Sequence, residues 1–270
     1  MRTIPLLFVK QTGQELISRE INTDCDWVLD YTGKAYIKLD GIPCLIANGI
    51  LYRSSLKKLS KSGKKKISRT LAPAFAANDF KKSPDGWIPA QPTADPYTGK
   101  WAGWVPVTKS GNDRYYREAF GKIKNTERLS GITAELLGPK ILDNPHHLNG
   151  HVLYPHTAFE IHDLKRTFDG IREWLSTAPC EGIVFHHPDG RMAKIRRTDY
   201  GLDWPLDINR YDILLANLVN CGLATPGVPA KQTSSAVENK ALAVTNPNPT
   251  GYGDIDPSMY YSEEWCGFGD

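Results

Sequence analysis

The sequence has few cysteines and no long hydrophobic segment. Its first ten residues contain an apolar run of only six, which is too short for the hydrophobic region of a signal peptide or for a membrane span. We therefore expect an intracellular, cytoplasmic protein with no membrane partner. Five cysteines are scattered along the chain with no CxxC pair among them: Cys25, Cys44, Cys180, Cys221 and Cys266. Their odd number and spacing predict reduced thiols and argue against a disulfide framework or a zinc site.

The net charge of +3 hides an uneven distribution along the 270 residues. Residues 225–270 contain two lysines against six acids, a net charge of −4, so residues 1–224 carry +7. A basic body favours a polyanionic partner such as nucleic acid or a nucleotide. Beyond residue 224 the hydrophobic periodicity ends and small polar residues dominate. We therefore predict one domain over residues 1–224 and a polar, acidic, largely disordered tail over residues 225–270.

Short apolar runs separated by tight-turn dipeptides characterise residues 35–54. Asp40-Gly41 and Asn48-Gly49 are turn signals between such runs, so this segment is predicted to form an antiparallel meander of three strands. Strand alternation places Lys38 and Asp40 on the same face. The two residues are either a surface ion pair or a nucleophile with its orienting partner, and this stretch alone leaves both alternatives open.

A dense basic run follows the meander. Residues 57–69 contain seven basic residues and no acid. With glycine and serine between the lysines, the run is predicted to be a mobile cationic loop, either a solvated linker or a contact to a phosphate backbone. In the following segment, residues 72–107, three tryptophans are expected to pack onto the domain because so much aromatic area is rarely left exposed: Trp87, Trp101 and Trp104.

The second half of the chain mixes strand and helix patterns. Residues 132–137 are a predicted strand in which Glu135 is the lone acid. It lies either on the solvent-exposed face of the strand or in the interior, where it would have a function. Residues 181–197 are a predicted hairpin with one apolar and one basic strand. Amphipathic helices are predicted over residues 163–177 and 207–221. The predicted fold class is therefore α+β.

The strongest functional signal is the order of four short motifs. Lys38-Leu-Asp-Gly41, the Glu135 strand, Glu181-Gly-Ile-Val-Phe185 and Ala193-Lys-Ile-Arg-Arg197 occur in this order. They resemble motifs I, III, IV and V of the covalent nucleotidyltransferase superfamily, which includes ATP-dependent ligases and mRNA capping enzymes. Segments such as Glu-Leu-Leu-Gly-Pro-Lys and Asp-Tyr-Gly-Leu-Asp-Trp-Pro further resemble the single-domain, phage-type RNA ligase 1 family. The resemblance covers about residues 30–206.

This resemblance implies a fold and a reaction. The fold is the nucleotidyltransferase (ATP-grasp-like ligase) fold, with antiparallel sheets flanking a nucleotide-binding cleft and helices outside. The reaction is ATP-dependent joining of RNA 3′-OH and 5′-phosphate ends through a lysyl-AMP and an RNA-adenylate, by a monomer using Mg²⁺ or Mn²⁺. No segment of OB-domain size follows the last motif, which argues against DNA ligases and capping enzymes. GTP-dependent capping, and a catalytically silent nucleotide- or RNA-binding protein of the same fold, stay open as alternatives.

The resemblance also implies a role for each candidate residue. An unperturbed lysine has a pKa near 10.4, so the nucleophile needs cationic neighbours or a metal to lose its proton. The implied catalytic residues are Lys38, Asp40, Lys194 and Arg196, and Glu181 is the implied metal ligand. The implied nucleotide contacts are Ile37, Lys38, Arg53, Glu135, Glu181 and Lys194, with Tyr154 or Phe159 stacking on the base. The implied RNA contacts are Lys57, Lys58, Lys64, Lys65 and Lys66.

Overall fold

Two antiparallel sheets form the body of the protein in a computed structural model, which describes residues 4–72, 74–123, 126 and 129–211. The strands are β1 (Lys34–Lys38), β2 (Ile42–Ala47), β3 (Ile50–Lys57), β4 (Ile88–Pro89), β5 (Trp101–Pro106), β6 (Ile132–Leu137), β7 (Val152–Pro155), β8 (Glu160–Ile161), β9 (Gly182–His186) and β10 (Met192–Arg196). The helices are α1 (Lys61–Arg69), α2 (Arg114–Phe120) and α3 (Phe168–Thr177). The first sheet has the order β10-β9-β1-β8 and the second the order β4-β5-β3-β2-β6-β7. The predicted α+β class with antiparallel sheets is confirmed.

The Asp40-Gly41 dipeptide connects the two sheets. β1 pairs with β8 and β9, whereas β2 pairs with β3 and β6. The predicted meander is therefore wrong at its first turn, although Asn48-Gly49 does close the β2–β3 hairpin with φ values of +50° and +73°. A Cβ at position 41 would lie 2.5 Å from the carbonyl oxygen of Leu136. Glycine thus lets the chain pass close to β6 and enter the second sheet.

The two faces of the first sheet have different environments. Alternation along β1, β9 and β10 directs one set of apolar side chains into the main core, where they meet Ile171 and Leu175 of α3. The pairs Lys38↔Gly182 and Arg196↔Gly182 place Lys38 and Arg196 on the opposite face. Lys194 shares that face because it pairs with Val184 two residues along. The prediction that Lys194 and Arg196 share a face is confirmed.

Helix α3 is shorter than the predicted helix over residues 163–177. It begins after Thr167, whose Oγ1 accepts a hydrogen bond from the Gly170 backbone N–H at 3.1 Å, a typical N-cap. At its other end the fully buried Arg197 donates to the carbonyl of Ala178 at 2.8 Å. The helix is therefore fixed at both ends, and its C-terminus is tied to the strand that carries Lys194.

The tryptophan-rich segment extends the second sheet. Trp104 on β5 is fully buried and packs with Leu45 of β2 and Ala102. The rings of Trp87 and Trp101 meet edge to face with centroids 5.5 Å apart. The expectation that these tryptophans pack onto the domain is confirmed.

The basic run of residues 57–69 forms a strand end and a helix. β3 extends to Lys57, and α1 begins after Ser60, whose Oγ accepts from the Gly63 N–H at 3.3 Å. Gly63 is buried against the carbonyl of Asp79, so close that a Cβ would lie 2.2 Å from that oxygen. Lys66 pairs with Asp79 at 2.7 Å. The predicted mobile loop is therefore wrong, because capping and packing against residues 77–79 hold the segment as a helix.

The last described residues, 202–211, begin another helix. The backbone is helical from residue 208, and Asp207 Oδ1 accepts from the N–H groups of Asn209 and Arg210, both at 3.0 Å. The remainder of the predicted helix over residues 207–221 and the predicted tail over residues 225–270 lie outside the described residues. Among the helices that the structure does describe, none has the length and hydrophobicity needed to cross a bilayer.

Candidate active site

A cleft lies where the first sheet faces β2 and β6 of the second. It contains about 530 Å³ of empty space, a figure that includes the open solvent at its mouth. Both sheets and the N-terminal segment contribute to its lining, which consists of Ile4, Ile37, Lys38, Leu39, Pro43, Glu135, His156, Val184, His186 and Met192. The cleft therefore brings three of the four motifs, through Lys38, Glu135 and Val184, to one place.

Lys38 and Glu181 form a buried ion pair beside the cleft. Lys38 is the last residue of β1, and Glu181 immediately precedes β9, so the Lys38↔Gly182 pairing places the two side chains together. Lys38 Nζ lies 2.5 Å from Glu181 Oε2, and the side chains are 9% and 4% exposed. The surface-ion-pair alternative for Lys38 and Asp40 is therefore wrong, because Lys38 is buried and pairs with Glu181. Such a pair stays stable only with both partners present.

Asp40 lies beyond the end of β1 and is held by two other residues. The alternation that predicted a shared face with Lys38 does not reach it, because the strand ends at Lys38. Asp40 Oδ2 accepts from Trp204 Nε1 at 2.8 Å, and the Asp40 backbone N–H donates to His146 Nε2 at 2.9 Å. Burial, and next the nearby positive charge of Lys38, lower the pKa of His146 to about 3. The ring is thus neutral and can accept this hydrogen bond.

Glu135 is buried in the cleft and has a histidine partner. It is 6% exposed, and its Oε2 lies 2.6 Å from His156 Nε2, so the buried alternative is the correct one. His186 lines the same cleft, and its ring meets that of Tyr36 edge to face at 5.0 Å. Burial, followed by the charge of His156, lowers the pKa of His186 to about 4. A neutral imidazole therefore forms part of the cleft wall at neutral pH.

Lys194 and Arg196 lie on the face of β10 that carries the cleft. Lys194 is 2% exposed, and its backbone N–H donates to the Pro5 carbonyl at 2.9 Å, so the N-terminal segment holds this strand. Arg196 donates from Nε and Nη2 to Asp199 at 3.2 and 3.1 Å. Asp199 therefore offsets part of the positive charge of Arg196 and fixes its guanidinium.

Three of the implied nucleotide contacts lie away from the cleft. Arg53 pairs with Cys44 across β2 and β3, whereas Glu135 pairs with Pro43, so Arg53 lies on the opposite face of the second sheet. There its Nε is 3.0 Å from Asp113 Oδ1. Tyr154 and Phe159 lie in the main core with ring centroids 5.3 Å apart, and neither lines the cleft.

Four residues near the site are absent from the site residues that the family resemblance implies: His146, His156, His186 and Trp204. Each meets its partner only through the tertiary fold, and Trp204 is 164 positions from Asp40. Ile37, which is one of the implied nucleotide contacts, does line the cleft, and its backbone N–H donates to the Phe159 carbonyl at 3.0 Å.

The carboxylates of the site fit a cation shared with a substrate. Over the described part of the chain, no group of three or more histidine, cysteine, aspartate or glutamate side chains could enclose a metal ion. Mg²⁺ is often held by one or two carboxylates together with substrate phosphates and water. Glu181, buried beside the cleft residue Lys38, matches this donor set as a single protein ligand.

Comparison with known proteins identifies the class to which this fold and site belong. A family model described as RNA ligase 1 matches residues 121–216, a range that includes Glu135, Glu181 and Lys194. RNA ligase 1 of Rattus norvegicus is 31% identical over 65% of this chain and 70% of the relative. RNA ligase 1 of Pongo abelii is 30% identical over 76% of this chain and 82% of the relative, and that of Mus musculus is 30% identical over 65% and 69%.

The class is therefore that of the RNA ligases, as the motif resemblance predicted. The chain belongs to the RNA ligase 1 family. The phage-type attribution within that class stays a prediction.

Proposed function

We propose that this protein is an ATP-dependent RNA ligase that joins RNA 3′-OH and 5′-phosphate ends through a lysyl-AMP on Lys38. The observation that carries the proposal is the buried Lys38–Glu181 pair, at 2.5 Å, beside a cleft that both sheets line. A lysine that serves only stability or solubility is seldom buried against one carboxylate at a cleft. The family relationship supports the same reading, since the relatives are named RNA ligase 1.

Three displacements at phosphorus make up the proposed reaction. Lys38, once it has lost its proton, attacks the α-phosphorus of ATP through Nζ; the P–N bond forms and pyrophosphate leaves. An oxygen of the RNA 5′-phosphate then attacks the same phosphorus, which breaks the P–N bond and returns the lysine amine. Finally the RNA 3′-OH attacks the 5′-phosphate, the phosphodiester forms and AMP leaves. Covalent catalysis thus divides one difficult joining reaction into easier steps.

The residues around Lys38 supply charge and position. Lys194 and Arg196, on the same sheet face, would stabilise negative charge that develops on the phosphates. Glu135, which lines the cleft, would accept hydrogen bonds from ribose hydroxyls once its contact with His156 opens. Glu181 would hold Mg²⁺ or Mn²⁺, and the metal, when bound, neutralises phosphate charge.

Covalent labelling tests the proposed function. The purified full chain, mixed with α-labelled ATP and Mg²⁺ or Mn²⁺ and then denatured, is expected to retain acid-labile label on the polypeptide. A 5′-phosphorylated RNA with a free 3′-OH is then expected to release the label and become joined. Protein freed of pre-bound AMP by pyrophosphate treatment is the matched starting material.

Every other outcome of that experiment would indicate a different activity for this protein. Label from GTP and none from ATP would indicate a capping-type nucleotidyltransferase. A folded protein that binds ATP and takes no label would be a catalytically silent binding protein of the same fold. Label from ATP without joining of any RNA end would leave an adenylyltransferase with a different acceptor.

We further propose that Lys58, α1 and the adjacent residues 81–82 form an RNA-binding surface, here called the basic face. Lys81 N–H donates to the Lys58 carbonyl at 2.8 Å, which holds residues 81–82 beside the start of the helix segment. The exposed cations of the basic face are Lys58, Lys61, Lys64, Lys65, Arg69, Lys81 and Lys82. Lysines spread over one exposed surface suit a phosphate backbone.

Two of the implied RNA contacts have structural partners instead. Lys57 Nζ lies over the rings of Trp101, Trp87 and Phe80, at 4.8, 5.1 and 5.5 Å from their centroids. Lys66 pairs with Asp79 at 2.7 Å. Cation–π contact and ion pairing direct these two ammonium groups toward the protein, so we exclude both from the basic face.

Charge removal on the basic face is expected to weaken RNA binding. Lys64→Ala with Lys65→Ala removes two exposed cations, so the slope of log affinity against log salt should fall by about 1.4 for single-stranded RNA. Lys57→Gln is the matched control: it should lower the unfolding midpoint, because the aromatic rings lose their cation, and leave the salt slope unchanged. Fluorescence anisotropy with labelled 5′-phosphorylated RNA measures the salt slopes of both variants, and thermal unfolding measures the midpoint. Equal salt slopes for the double variant and wild type would exclude this surface.

A further inference from the structure

Asp40 is held from two sides by residues outside the four motifs that carry the candidate catalytic residues. The Trp204 indole N–H donates to Asp40 Oδ2 at 2.8 Å, and the Asp40 backbone N–H donates to His146 Nε2 at 2.9 Å. These partners are 164 and 106 positions away along the chain. Two distant segments therefore converge on the turn that directly follows Lys38.

The loop that carries His146 has an unusual backbone. Leu142, Asp143, Asn144 and His147 have φ values of +45°, +56°, +59° and +52°. Non-glycine residues adopt this left-handed region at a cost, and such strain persists where surrounding contacts fix it, often at functional sites. The Asn144 side chain makes two of those contacts, donating to the Leu148 carbonyl and accepting from its N–H, both at 2.9 Å.

Residues 202–211, here called the strap, are joined to this loop. His147 Nε2 and the Leu206 carbonyl oxygen are 2.7 Å apart, and the ring centroids of His146 and Trp204 are 5.3 Å apart. Tyr211, at the other end of the strap, packs edge to face on both His146 and His147 at 6.2 and 5.3 Å. Because Trp204 belongs to the strap, loop and strap support Asp40 as one unit.

The turn after Lys38 needs such support. The β1 ladder ends at the Lys38↔Gly182 pair, and β2 begins only at Ile42. Residues 39–41 therefore lie between the two strand ladders, although they fix the backbone beside the Lys38 side chain. Attack on phosphorus needs close alignment of Nζ, and a displacement of about 1 Å can slow a reaction about a hundredfold.

We propose that Trp204 and His146 are positioning residues for adenylyl transfer, which hold Asp40 and thereby the main chain from which Lys38 projects. The inference rests on the proposed function, because it concerns the step in which Lys38 attacks ATP. It adds a role for the strap, which lies beyond the last motif. A hydrogen bond from an indole N–H to a carboxylate is of the charge-assisted kind, stronger than a neutral one.

Single-turnover labelling of matched variants tests this role. Trp204→Phe removes the N–H and keeps most of the ring. Trp174→Phe is the control, since Trp174 is half-buried on α3 and its indole N–H has no hydrogen-bond partner among the described residues. Trp204→Phe should slow lysyl-AMP formation at saturating ATP about ten- to a hundredfold, with little change in the KM for ATP. Trp174→Phe should stay within about twofold of wild type.

A second pair of variants addresses the His146 contact. His146→Gln keeps an acceptor for the Asp40 N–H, whereas His146→Leu removes it. We expect His146→Leu to slow lysyl-AMP formation and His146→Gln to recover much of the rate. The unfolding midpoint of each variant is recorded as well, so that a loss of stability can be distinguished from a loss of positioning. If Trp204→Phe does not fold, the two His146 variants test the positioning role on their own.

The failures of the two proposals are distinguishable. Wild-type protein that takes no label from ATP overturns the proposed function and this inference together. A labelled wild type with equal rates for Trp204→Phe and Trp174→Phe overturns the positioning role alone. Equal rates for folded His146→Gln and His146→Leu overturn it as well.

Discussion

Lys38→Ala and Lys38→Arg are both expected to take no detectable label from α-labelled ATP, a loss of at least about a thousandfold. Alanine removes the nucleophile and the ion pair together. Arginine keeps a positive charge that can face Glu181, yet its guanidinium stays protonated and cannot attack phosphorus. If both variants lose the label while Lys38→Arg remains folded, the loss belongs to the chemistry of Lys38 and not to its part in stability.

Two controls sharpen the Lys38 result. Lys34→Ala changes a lysine on the same strand and the same face, whose Nζ pairs with Glu160 at 3.0 Å and whose side chain is 63% exposed. It should label like wild type. RNA that already carries a 5′-adenylate bypasses the lysine, so Lys38→Ala should still join it. Label on Lys38→Ala at the wild-type level would assign the nucleophile to another residue, which peptide mapping of the phosphoramidate would locate.

The parts of this site that the sequence predicts are local in the chain. Turn dipeptides and two-residue alternation suffice to place Lys194 and Arg196 on one strand face and to predict the β9–β10 hairpin. The motif order adds Lys38, Glu135 and Glu181 as a set. The strand-face and hairpin signals depend on neighbours a few residues apart, and hydrophobic periodicity records such neighbours directly.

Contacts made across the fold could not be predicted in the same way. Glu181 is 143 positions from Lys38, and nothing local distinguishes it from Asp40 as the partner of the lysine. Gly41 signals a turn, yet its close approach to β6 decides that the chain changes sheet there. Helix α1 has Ile67 as its one large apolar side chain, and the N-cap at Ser60 and the close packing at Gly63 hold that helix in place.

The predicted stacking residues show the same limitation. Tyr154 and Phe159 are aromatic residues at the point in the chain where the resemblance implies a base-stacking ring. Both rings are instead packed in the main core. The rings that line the cleft are those of His156 and His186. A residue type at the right sequence position therefore predicts a site contact only when the tertiary fold leaves its side chain on the cleft face.

Glu181→Gln is expected to reduce lysyl-AMP formation at least about a hundredfold and to destabilise the fold by about 3–5 kcal/mol. The amide keeps the shape of the side chain but removes the charge that faces Lys38 Nζ at 2.5 Å. Lys38 is then a buried cation without its carboxylate, and Glu181 no longer supplies a hard ligand for a metal. Labelling rates across a Mg²⁺ titration and urea unfolding measure the two effects separately.

The same sheet provides the matched control for Glu181. Glu160→Gln breaks the cross-strand Lys34–Glu160 pair, whose side chains are 63% and 29% exposed, and should change stability by about 1 kcal/mol or less. Lys38→Met with Glu181→Leu removes both buried charges at once. Because an apolar pair avoids the desolvation penalty, this double variant should be more stable than Glu181→Gln although it is inactive. If Glu181→Gln destabilises the protein no more than Glu160→Gln does, then Lys38 and Glu181 are not a buried ion pair in solution, and the activation of Lys38 must depend on other groups.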